Sequence, residues 1–137
     1  NSIILHNDVQ EVPVMTDFVE KTAEQANLDP SVTMSLTLAI EEAVANIMKY
    51  AYPEGEVGPI EINATINDGS LSFTIKDSGT PFDPTQVKKA DITLSAEERE
   101  IGGLGIHLIR NIMDTVEYHH TTNQNILTLT KNIDNNH

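Results

Sequence analysis

The 137 residues carry 21 acidic against 8 basic side chains, a formal charge of −13, with 39% apolar residues and no cysteine. Disulfides and thiolate metal sites are excluded, and the charge opposes nucleic-acid binding, which relies on Lys and Arg to neutralise phosphates. No apolar run approaches the ~18 residues of a membrane span, and no signal peptide is visible. The length predicts a single domain over residues 1–137. The lack of cysteine fits a reducing, cytoplasmic setting. The chain opens on Asn1-Ser2 rather than Met, so its natural start is expected upstream.

In chain order, Ser2 to His6 fits a short edge strand. From Pro13 to Ala26, apolar residues at Val14, Met15, Phe18, Val19, Ala23 and Ala26 describe one face of a helix. Asn27-Leu-Asp29-Pro30 breaks it, with Asp29 suited to the N-cap and Pro30 to the first turn of a second helix. That helix is predicted to run to about Tyr50. Its buried stripe is Val32, Leu36, Ala39, Ile40, Ala43 and Ile47, and Glu42, Asn46 and Tyr50 form a polar stripe beside it. Tyr52-Pro53 stops the helix, and residues 54–58 read as a loop.

Two alternating runs follow. Ile60, Ile62, Ala64 and Ile66 point one way, and Leu71, Phe73 and Ile75 answer them across Asn67-Asp68-Gly69-Ser70, which has hairpin-turn chemistry. Asp77 falls where the second strand ends. Residues from about 80 to 101 contain two prolines and little periodicity, and a loop of that length in a small domain predicts a functional lid. A glycine-rich turn, Gly102-Gly-Leu-Gly105, then opens a helix with Ile106, Ile109, Ile112 and Met113 on its apolar side. Val116 to Tyr118 and Ile126 to Lys131 read as a closing hairpin, and 132–137 as a polar tail. His119 and His120 alternate faces of a strand, so the five His residues are read as structural or surface groups.

The chemistry concentrates in three places. Glu42 and Asn46 are one helical turn apart, with Cβ atoms about 6 Å from each other. A Glu there can act as general base, and the Asn oxygen can hold a hard cation that also grips phosphate oxygens. Asn46 has poor helix propensity, and an apolar neighbourhood makes its amide costly unless bonded, which favours a site role. Asp77 can accept a hydrogen bond from an exocyclic amine such as that of adenine, while Gly79 leaves space for a flat ring. Glycines at a helix start expose N–H groups that attract anions. Adenine floor, metal-held phosphates and lid together compose an ATP pocket.

The order Glu42-x-x-x-Asn46, Asp77-x-Gly79, Gly103-x-Gly105 resembles the GHKL (Bergerat) ATPase fold shared by gyrase, heat-shock chaperones, histidine kinases and MutL. Three stretches, 39–53, 75–83 and 101–114, are most similar to anti-sigma-factor serine kinases of the RsbW and sporulation type. The resemblance implies an α/β two-layer sandwich, with helices on one face of a mixed, mostly antiparallel sheet. It implies that Asn46 coordinates Mg²⁺ bridging the phosphates of ATP and that Glu42 is the general base. Asp77 would bind the adenine amino group beside Gly79, and Gly102, Gly103, Leu104 and Gly105 would cover the phosphates. Lys49 approaches phosphate in the histidine-kinase version of this motif, and Tyr50 stands where the anti-sigma kinases often carry His. Ile101 occupies the place of an Arg in the sporulation type. Arg99, two residues earlier, is the candidate for reaching the γ-phosphate.

The implied function is an Mg-ATP-dependent serine/threonine-protein kinase that phosphorylates a small anti-anti-sigma (STAS-type) partner and sequesters a sigma factor, with a homodimer compatible with the family. Two alternatives stand beside it. One is a non-catalytic module in which ATP gates partner binding. The other is a histidine-kinase-like catalytic domain, which Lys49-Tyr50 favours and the lack of a helical segment with a phospho-accepting His disfavours. Glu41, adjacent to Glu42 but turned about 100° away, is read as a surface residue.

Overall fold

Alternation of apolar and polar side chains builds the sheet. The computed structural model describes residues 1–52, 56–67, 69–80 and 103–133. Five strands, β1 (Ser2–His6), β2 (Pro59–Asn67), β3 (Ser70–Asp77), β4 (Thr115–His120) and β5 (Asn125–Asn132), lie in the order β1-β2-β3-β5-β4. Every pairing among them is antiparallel, so the described sheet has no mixed part. The β2–β3 hairpin closes with Asn67 opposite Ser70, and Gly69 takes φ 79°, a left-handed conformation that glycine adopts without a Cβ clash.

Among the described residues three α-helices cover one face: α1 (Val12–Gln25), α2 (Pro30–Asn46) and α3 (Gly103–Ile112). α1 ends in a Schellman arrangement, with Asn27 at φ 58°, its N–H on Glu24 O and the Leu28 N–H on Ala23 O. Asp29 is the extended N-cap residue of α2 with Pro30 after it, but its carboxylate makes no capping bond. α2 lies between α1 and α3 and carries the most buried stripe, with Leu36, Ala39, Ile40 and Val44 fully enclosed. They meet Ile60, Ile62, Leu71, Phe73, Ile75 and Leu129 from the sheet. Burying side chains of this kind contributes about 1.5–3 kcal/mol each before the cost of ordering them.

Two expected inward residues sit elsewhere. Val14 is 53% exposed, because the buried face of α1 is set by Met15, Val19, Thr22 and Ala23. Ile66, next to the hairpin turn, is 42% exposed although its cross-strand partner Leu71 is fully buried. Glu41 is half-buried rather than a free surface group, since Thr16 Oγ1 on α1 donates to its Oε1 at 3.0 Å.

The feature that positions the site is a single row across the sheet: Ile60, Asp77, Asn125 and His120 are successive partners on β2, β3, β5 and β4. Strand parity puts them on the helix-facing side with Ile75, Leu127 and Tyr118. α2 ends above that row. There the backbone widens into one π turn, Ile47–Ala51, before Tyr52 turns extended. Such turns in a helix often mark functional sites.

Candidate functional site

The row of residues at the end of the sheet and the end of α2 enclose a cavity lined by Ala43, Asn46, Ile47, Asp77, Ile109, Tyr118, Asn125 and Leu127. Its free interior is narrow, about 20 Å³, about one water molecule. Most of the wall is apolar. Asn46 and Asp77, 31 residues apart in sequence, come together here, 9% and 4% exposed.

Asn46 is the last residue of α2. Its Nδ2 is fully buried and has no hydrogen-bond partner among the described residues. An amide donor left in this state costs about 1–3 kcal/mol, so the position is poorly explained by folding alone. Lys49 follows in the π turn and is exposed. Glu42 lies one turn before Asn46 on α2 and is half-buried, but it is not among the residues that line the cavity.

Asp77 closes β3 on the buried side. Its Oδ1 accepts from the Gly79 N–H at 2.9 Å and from Asn125 Nδ2 at 2.9 Å. No described residue donates to its Oδ2. Gly79 is required here by the neighbouring backbone, since a Cβ would run into the Ala51 carbonyl of the π turn. The Thr80 N–H donates to that same carbonyl at 2.5 Å. The strand end and the helix end are therefore stitched together just where both meet the cavity.

Tyr52 adds a second stitch. Its ring is 6% exposed and packs on Gly58, where a Cβ would collide with it. The hydroxyl donates to Pro59 O at 2.7 Å and accepts from the Ser78 N–H at 3.0 Å. Burial raises the phenol pKa above its usual 10.0; the Ser78 bond opposes this, and the charges of Asp77 and Glu56 add to it. A raised folded-state value means that the stabilisation is complete below about pH 10 and is lost as pH climbs through the folded value. Tyr52→Phe is expected to cost about 1–3 kcal/mol at neutral pH, because two backbone groups lose their partner. The gap between the variant and the parent is expected to narrow above pH 10. Urea unfolding of both proteins at pH 8 and pH 11 measures it; a gap that widens with pH is the opposite of this expectation.

The glycines of the third motif open a helix, as expected: Gly103, Leu104 and Gly105 form the first turn of α3. Gly102, Arg99 and the expected lid at 80–101 lie outside the described residues, apart from Thr80. Three contributors escaped sequence reasoning: Tyr52, Tyr118 and Asn125. For Asn125 a signal was present. Asn125, Leu127 and Leu129 alternate along β5, so the Asn had to face the core side and needed a partner there.

Comparison with known proteins identifies the family and the fold. Residues 5–131 match the model of the histidine kinase-like ATPase domain. The serine/threonine-protein kinase BtrW of Bordetella bronchiseptica is 32% identical over 70% of this chain and 68% of its own length. The serine-protein kinase RsbW of Listeria monocytogenes is 31% identical over 72% of this chain and 65% of its own. The chain thus spans about two thirds of the curated relatives it matches. A chain in the crystal structure of the SiaB–SiaC complex from Pseudomonas aeruginosa shares the fold, with a TM-score of 0.58 at 16% identity over 96% of this chain and 89% of that one.

Proposed function

Because the chain belongs to the histidine kinase-like ATPase domain family, we propose that it binds Mg-ATP in the cavity between α2, β3 and β5 and acts as a serine/threonine-protein kinase. In this reading it is an anti-sigma regulatory factor whose substrate is a small anti-anti-sigma protein of the STAS type. The observation that carries the reading is a pair of uncommitted polar groups in one mostly apolar cavity: the Asn46 Nδ2 and the second oxygen of Asp77.

Asp77 Oδ2 accepts the exocyclic amine of adenine, and Gly79 keeps the strand end low beside the ring. The cavity walls part to admit the base, since the closed space holds little more than a water. Asn46 fits a metal-phosphate group: its orphaned Nδ2 would donate to a phosphate oxygen, and its Oδ1 is the atom that would face the cation. A cation held there would take further ligands from phosphate oxygens and water, as Mg²⁺ does. When bound, Mg²⁺ neutralises charge on the phosphates. The first turn of α3, at Gly103 and Gly105, offers N–H groups without helical partners to phosphate oxygens. The proposal also assigns Gly102, Leu104 and Lys49 to the phosphates and Arg99, from the lid expected at about 80–101, to the γ-phosphate; Gly102 and Arg99 lie outside the described residues.

Glu42 takes the proton of the attacking serine hydroxyl. The oxygen–Pγ bond forms, the bond from Pγ to the bridging oxygen breaks, and ADP leaves. Most of the rate then comes from positioning and charge neutralisation. Sigma-factor binding, a homodimer and a cytoplasmic location complete the proposal. A second reading, an ATP-gated binding module without transfer, is favoured by one observation: Glu42 does not line the cavity.

Titration calorimetry with ATP and ADP, with and without Mg²⁺, tests the reading. Asn46→Ala is expected to abolish the Mg²⁺-dependent part of the affinity and to leave the metal-independent part largely in place. Its folding stability is expected to change by less than about 1 kcal/mol, because removal of an unsatisfied donor offsets the packing lost. A variant that keeps the full Mg²⁺ dependence and loses stability would mark Asn46 as a packing residue and overturn its assignment.

A further inference from the structure

Asn125 is 3% exposed at the start of β5, and every polar atom of its side chain is engaged. Nδ2 faces three acceptors: Asp77 Oδ1 at 2.9 Å, the Gly79 carbonyl at 3.1 Å and the Thr80 carbonyl at 3.4 Å. Oδ1 faces two groups on β4: the Tyr118 hydroxyl donates to it at 2.6 Å, and His120 Nδ1 lies 2.9 Å away. Three groups that can only accept, on one side, determine which way the amide is turned. With Tyr118 and His120 holding one end, the NH₂ group is aimed at a single carboxylate oxygen.

That oxygen is the one already taken by the Gly79 N–H. Rotating the Asp77 carboxylate would break both bonds, so its orientation is locked, with Oδ2 left over. Solvating the buried side chain would require only the two carbonyls of 79 and 80. The bond to Asp77 goes further, because it decides which carboxylate oxygen is spent. It also keeps a hydrogen-bond donor, rather than an acceptor, against Oδ1. A carboxylate oxygen held this way can accept from an amine and has no hydrogen to offer a carbonyl.

We propose that Asn125, held by Tyr118 and His120, is the positioning residue that restricts the base site to 6-aminopurines by locking Asp77 with one oxygen presented as an acceptor. This deepens the adenine reading of Asp77 above and rests on it. A 6-oxopurine places a carbonyl where the amine would sit and meets like with like.

The test is affinity for ATP against inosine triphosphate, which differs at that group, by competition with a fluorescent ADP analogue. The parent protein is expected to favour ATP by about 10–100-fold, the scale of one hydrogen bond to a charged group. Asp77→Asn replaces one acceptor by a donor and is expected to reverse the preference. Asn125→Ala is expected to bring the ratio to within about threefold, mainly by loss of ATP affinity, with the Mg²⁺ dependence retained. Asn125→Ser, whose hydroxyl does not span to Asp77, is expected to do the same and serves if the alanine variant does not fold. If Asp77→Asn leaves the ratio unchanged, the adenine reading itself fails. If Asp77→Asn reverses it while a folded Asn125 variant keeps the parental ratio, with both affinities falling equally or not at all, Asn125 is only structural and the inference alone is overturned.

Discussion

Glu42→Gln is expected to slow phosphoryl transfer to the protein substrate by about 10²–10⁴-fold, the usual contribution of a general base, while ATP affinity stays within about twofold. The side chain keeps its size and loses only its capacity to take a proton. It stands half-buried one turn before Asn46 and outside the cavity lining, so nothing in the adenine end depends on its charge. Single-turnover transfer from labelled ATP to the partner protein, with enzyme in excess of the ATP, separates the chemical step from binding. If transfer proceeds at the parental rate, the base assignment is lost. If the parent shows no transfer while binding ATP, and the variant regulates its partner equally well, the binding-module reading takes its place.

Gly79→Ala is expected to be the most damaging small substitution in the site. The added methyl would run into the carbonyl of Ala51, and backbone cannot step aside as a side-chain tip can. Overpacking of this kind costs about 1–3 kcal/mol. Here the displaced backbone also carries the Thr80–Ala51 bond and one of the two donors on Asp77. Chemical denaturation is expected to give a lower midpoint with an unchanged slope, and ATP affinity is expected to fall at least tenfold. Full stability together with full affinity would mean that the strand end and the π turn are not coupled.

The two stitches at the site explain why its parts were unevenly legible. Helices α1 and α2 follow from 3.6-residue periodicity, and the β2–β3 hairpin from alternation around a glycine turn, because those signals lie within a dozen residues of sequence. Asn46 was legible through conflict: an amide in an apolar stripe had to be costly or useful. The orphaned Nδ2 is that conflict in physical form. Asp77 stood out only in company with the glycines around it. Tyr52 and Tyr118 gave no such sign, because an aromatic residue near a strand reads as packing until its hydroxyl is seen to find Pro59 and Ser78 or Asn125.

Sequence alone determined the class of the fold, the register of its hairpin and the short list of polar residues placed where apolar ones belong. These depend on local propensity and on which face of an element a side chain occupies. Only the tertiary structure decided which of those residues meet. It brings β5 beside β3, so that Asn125 lies opposite Asp77 across 48 residues. It sets the end of α2 against Gly79, and it leaves Glu42 outside the cavity that Asn46 lines. Hydrogen-bond partners so far apart in the chain leave no periodic trace, and the direction in which a carboxylate is locked depends on them.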